Sequence, residues 1–143
     1  MNTIVMNTKT GAVSEHVLPF HSLSENFGAG DTGLFALGGN LDGTAQIPAS
    51  ATTGKMLWGD SSKKHLSDAY LAMTGAGLGV FTVHGKQVQF AYQFPVLPAG
   101  VSRAKLGRGI KENYVAFTYQ NVGGADFSID RIEVRSFNSQ RRI

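Results

Sequence analysis

Cysteine is absent from this chain of 143 residues. That absence excludes disulfide bonds, thiolate metal sites and a thiol nucleophile, and it fits assembly in a reducing compartment. Charge is sparse too: Asp, Glu, Lys and Arg make up 16% of the residues, below the usual quarter or so. No apolar run approaches the roughly 20 residues of a membrane-crossing helix, so no membrane association is expected. The opening Met1-Asn2-Thr3-Ile4-Val5-Met6-Asn7 has no basic stretch followed by a long apolar one, so no signal peptide is expected. Trp58 is the only tryptophan.

What is present favours strands. Hydrophobic residues make up 42% of the chain, enough to bury a core. Eighteen glycines argue against helix, because each costs a helix about 1 kcal/mol relative to Ala. The net charge of +3 is too mild for a dedicated nucleic-acid binder, but it is unevenly spread. Val101 to Ile143 holds eight Lys and Arg against four Asp and Glu, whereas Lys9 is the only cation among residues 1–50, against Glu15, Glu25, Asp31 and Asp42. An acidic front and a basic back can favour head-to-tail contact between copies; randomly distributed surface charge is the alternative.

Along the chain, Thr3–Met6 and Ala12–Phe20 flank the turn residues Asn7 to Gly11 and predict a hairpin, with Pro19 either ending its second strand or placing it on an edge. His21–Thr32 reads as loop from its Ser, Asn and Gly content. Gly33–Leu37 and Thr44–Ile47 read as short strands. Lys55–Gly59 reads as a short strand carrying Trp58. Leu66–Thr74 carries a pattern that favours strand, with a helix of about two turns over Ser67–Met73 as the alternative. Leu78–Val83 is a strand. Val88, Phe90, Tyr92 and Phe94 then alternate with mostly amide residues, the cleanest period-2 signal in the chain. Val101–Asn113 reads as a basic loop punctuated by glycine. Tyr114–Tyr119 and Phe127–Val134 flank Asn121-Val122-Gly123-Gly124 and read as a closing hairpin. The inward parity switches between Ile129 and Ile132, which predicts a bulge near Asp130-Arg131.

Patterns that would carry chemistry are incomplete. Gly75-Ala76-Gly77-Leu78-Gly79 lacks the third glycine spacing and the following helix of a dinucleotide loop. Gly54-Lys55-Met56 has Met where a phosphate loop needs Ser or Thr. His16, His21, His65 and His84 show no metal-ligand spacing. Asp126 and Asp130 would lie about 13 Å apart on an extended strand, beyond the gap of two carboxylates acting on one glycosidic bond. No catalytic residue, metal or cofactor is therefore expected. Arg103, Lys105, Arg108 and Lys111 compete as a solvated loop, as a contact for an acidic patch on another subunit, or as a phosphate contact. No aromatic interleaves them, so a stacking platform for nucleic acid is not expected.

These elements recur at intervals of about ten residues and predict an all-β domain, an antiparallel sandwich or small barrel with Gly-rich turns and at most a short helix. The expected organisation is one domain over residues 1–143, with 1–30 as an arm or edge hairpin and 138–143 as a tail. The closing segment carries Gly107-Arg108-Gly109, Tyr114-Val115-Ala116-Phe117, Asn121 to Gly124, Asp126-Phe127, Ile129 to Glu133 and the end Arg141-Arg142-Ile143. It resembles the C-terminal part of small virion proteins of tailed bacteriophages. The resemblance covers about a third of the chain and brings no catalytic residue. It implies a multi-copy structural component of a tail or neck, in the virion after assembly in the host cytoplasm. The partners implied are copies of itself or other virion proteins. Interface residues are expected at Arg103, Arg108, Lys111, Arg141, Arg142 and Ile143. The alternative is a carbohydrate-binding sandwich serving host adsorption, with Trp58 and Tyr70 as sugar contacts and a glycan as partner.

Overall fold

The computed structural model describes residues 3–6, 8–9, 11, 13–16, 19–39, 41–42, 44–59, 61–107 and 109–138. They belong to two compact units, residues 1–39 and 40–143. In the first, β1 (Thr3–Met6) and β2 (Val13–His16) form the expected antiparallel hairpin, with Ile4 opposite Glu15 and Met6 opposite Val13. Strand alternation therefore puts Ile4, Met6 and Val13 on one face, and all three are exposed. Next come β3 (Ser22–Leu23), β4 (Phe27–Gly30) and β5 (Gly33–Ala36), a three-stranded antiparallel sheet. The loop expected over His21–Thr32 is thus corrected. The glycines that read as loop are needed for close approach: a Cβ on Gly28 would lie 2.7 Å from the Phe20 ring, and one on Gly30 2.8 Å from the Pro19 carbonyl oxygen.

The second unit opens with a small ladder of β6 (Leu41–Asp42) and β7 (Ala45–Gln46). Eight further strands follow: β8 (Ser50–Thr52), β9 (Lys64–Gly75), β10 (Leu78–His84), β11 (Gln89–Pro95), β12 (Val101–Lys105), β13 (Lys111–Glu112), β14 (Ala116–Asn121) and β15 (Phe127–Asn138). The chain is all-β, with no helix among the described residues. One sheet has the order β11-β10-β14-β8; in the other, β9 pairs with β12, β13 and β15. Every pairing is antiparallel.

The inner faces of the two sheets make the core of a sandwich. Ala69, Leu71 and Met73 of β9 are at most 1% exposed, as are Phe81 and Val83 of β10 and Tyr119 of β14. Phe81 stacks on Phe117 with ring centres 5.6 Å apart, and Tyr119 meets Phe127 of the opposite sheet edge-on at 4.6 Å. Gly79 is required beneath Tyr119, where a Cβ would lie 2.6 Å from the ring. Edge-to-face pairs of this kind add about 0.5–1.5 kcal/mol beyond area burial.

Two readings of the sequence change. Val101–Lys105 is strand rather than loop: Ser102 and Ala104 face inward at 1% and 0% exposure, and the cations alternate with them. The closing hairpin is not formed either. β14 pairs with β10 and β8, β15 pairs with β9, and the turn between them carries the chain from one sheet to the other. Asn121 fixes that crossing: its side-chain amide donates to the Ile47 and Ala125 carbonyls, and its oxygen accepts from the Ala49 N–H at 2.8 Å. The bulge expected near Asp130-Arg131 is present. Ile129 pairs with Met73 and Arg131 with Ala72, leaving Asp130 as the extra residue. A second shift, between Arg135 and Ser136, leaves Ser67 extra on β9.

Candidate functional site

Two surfaces of the second unit bring chemistry together, and they lie on opposite sides of one sheet. The outer face is built on β9. Inward-facing Ala69, Leu71 and Met73 leave Asp68, Tyr70 and Ala72 pointing out. Register then sets Arg103 of β12 opposite Tyr70 on one side, and Glu133 of β15 opposite it on the other, with Arg135 opposite Asp68. The Arg103 and Arg135 guanidinium carbons lie 5.8 and 5.5 Å from the centre of the Tyr70 ring. Such contacts contribute about 0.5–1 kcal/mol each at exposed sites. Arg103 donates from Nε and Nη2 to one Asp68 carboxylate oxygen, at 2.8 and 2.6 Å. That hydrogen bond holds the Asp68 carboxyl below its ordinary range and raises Arg103 above its own. Lys105 stands opposite Asp68, Lys111 opposite His65, and Arg131 pairs with Glu133 at 3.0 Å. The face is basic, with an aromatic ring between two guanidinium groups.

The second surface is a cavity of about 330 Å³ between the sheets, lined by Trp58, Leu66, Phe117, Ile132 and Val134, with Lys64, Glu112 and Ser136 supplying polar groups. Trp58 has φ +52°, the left-handed region that bulky residues rarely occupy. Its indole N–H donates to the Val115 carbonyl at 2.9 Å, and its ring rests 5.5 Å from that of Phe117. These contacts hold the strained backbone and leave Trp58 43% exposed at the cavity. The short strand expected over Lys55–Gly59 reduces to a single bridge between Met56 and Val115. Buried Lys64 donates to the Leu57 carbonyl at 3.2 Å, tying β9 to the same segment.

Among the expected interface residues, Arg103 and Lys111 lie on the basic face along one side of β9. Arg108, Arg141, Arg142 and Ile143 lie outside the described residues. The two expected sugar contacts do not share a surface: Trp58 lines the inner cavity, while Tyr70 faces outward between two guanidinium groups. Asp126 and Asp130 are both exposed. Among the described residues no three His, Asp or Glu side chains converge as a metal would require. Sequence reasoning missed Asp68 as the partner of Arg103, and Arg135 as the second wall around Tyr70. The run Arg131-Ile132-Glu133-Val134-Arg135 held that signal, because its alternation puts three charges on one face. Comparison with protein families, with curated proteins and with solved structures finds no match to this chain.

Proposed function

We propose that this chain is a non-enzymatic structural subunit of a tailed-bacteriophage virion, present in several copies at the tail or neck and held by contacts with its neighbours. The observation that carries an assembly role is apolar side chains left in water on the first unit: Ile4 and Leu34 are 70% exposed, Val13 64% and Met6 60%. Apolar surface of this kind marks interaction sites, and a hairpin of two strands is marginal without a covering layer. The basic face around Tyr70 adds a charged surface of defined shape. The phage context itself rests on the resemblance of the closing strands to small virion proteins. The test is incorporation: Ile4→Asp with Val13→Asp should leave the circular dichroism of the isolated chain unchanged and reduce its amount in purified particles. Normal incorporation of that variant, or absence of the parent chain from particles, removes the reading.

A further inference from the structure

β15 is a strand of twelve residues, and among the described residues only β9 runs beside it. The Met73 N–H donates to the Gly100 carbonyl at 3.0 Å, so at Met73 the β9 backbone turns away from β15. Its register partner Ile129 therefore directs its own N–H and carbonyl toward the open edge, and alternation gives Ile132 and Val134 the same direction on the far side of the bulge. Their side chains point inward yet are only partly buried, whereas the opposed Met73, Leu71 and Ala69 are at most 1% exposed. β15 also forms one wall of the cavity beside Trp58, through Ile132, Val134 and Ser136. Unpaired backbone and half-covered apolar side chains thus occur along one line, which is the surface that an added strand would complete.

We propose that this flank accepts the β1–β2 hairpin of a second copy of the chain, one hairpin strand pairing along β15 while Ile4, Met6 and Val13 enter the Trp58 cavity. The inference rests on the assembly reading above and names its contact. The donor hairpin carries Ile4, Met6 and Val13 exposed on one face, with Glu15 opposite Ile4 at its end. Net charge favours contact between unlike units: residues 1–39 hold Lys9 against Glu15, Glu25 and Asp31, whereas residues 40–143 hold twelve Lys and Arg against seven Asp and Glu. A donor surface on one unit and an acceptor surface on the other make a heterologous contact, which propagates into rings or filaments.

A chain without cysteine permits a direct test. Full-length Val13→Cys and full-length Ser136→Cys are prepared separately, mixed, and treated with a short bis-maleimide. The expected product is a covalent heterodimer, in large excess over that from Val13→Cys mixed with Gln93→Cys, and lost when Ile4→Asp is added to the donor. Trp58 supplies a second readout: its emission should shift to shorter wavelength as concentration rises, and should not shift in Ile4→Asp. Cross-linking no greater than the control, or emission independent of concentration, overturns the proposal. So does a blue shift produced by a free sugar on dilute chain, which would assign the cavity to a small molecule. Failure to cross-link in a chain that enters particles removes this contact alone, whereas cross-linking by a chain absent from particles removes the virion context alone.

Discussion

β14 and β15 look alike in sequence, each alternating aromatic or branched residues with polar ones, yet they live in different surroundings. β14 is paired on both sides and buries Phe117 and Tyr119 at 5% and 1% exposure. β15 is twice as long, is paired on one side among the described residues, and leaves Phe127, Ile129, Ile132 and Val134 partly open. Position in a sheet, rather than composition, decides how much each strand contributes to the core. Burial removes apolar area from water only where neighbours close over the side chain on both sides.

Truncation should break the symmetry most clearly. Phe117→Ala is expected to cost about 3–5 kcal/mol, the usual range for a buried aromatic, while Ile132→Ala costs at most ~2 kcal/mol in dilute solution. Chemical denaturation at low protein concentration measures both. If a second copy covers β15, the cost of Ile132→Ala rises with concentration, because association stabilises the folded state by mass action. Equal losses at the two sites would mean that the edge is closed within one chain.

A smaller effect is expected where the two strands are joined. Asn121→Ala leaves the Ile47 and Ala125 carbonyls and the Ala49 N–H without their partner. A loss of about 2–4 kcal/mol is expected from unsatisfied groups of this kind. Thermal unfolding checks it, and an unchanged midpoint would show that water replaces the amide.

The smallest effect lies on the outer face beside β15. Arg103 lowers the Asp68 carboxyl, so the carboxylate adds stability above the ordinary Asp value of about 4, and that contribution is lost as pH falls through the lowered folded value. Asp68→Asn should therefore be less stable than the parent at neutral pH, and the two should converge in acid. A gap of constant size from neutral to acidic pH would locate the loss in packing rather than in charge.

The legible parts of this fold are those whose signals are local and apolar. Leu71 and Met73 mark β9, and the parity switch from Ile129 to Ile132 marks the bulge at Asp130. β12 was hidden because its inward residues, Ser102 and Ala104, are small and carry little hydropathy while Arg103 and Lys105 dominate the reading. β4 was hidden because glycine serves close packing there. The pairing of β14 and β15 was misread because a turn of Asn and Gly serves equally for a hairpin and for a crossing between sheets. The surface around Tyr70 could not be assembled from sequence, since Asp68, Arg103 and Arg135 meet only through the ladders on both sides of β9.

The extra residues Ser67 and Asp130 cancel. Phe127 lies opposite Gly75 and Asn138 opposite Lys64, the same offset that an uninterrupted ladder would give. Deleting Asp130 alone would set Arg131 next to Ile129 and close the bulge, leaving Ile129, Ile132 and Val134 on the inner face. Deleting Ser67 alone would likewise set Asp68 next to Leu66 in regular alternation, so the loss of one residue at either bulge is absorbed locally, without a matched change on the other strand.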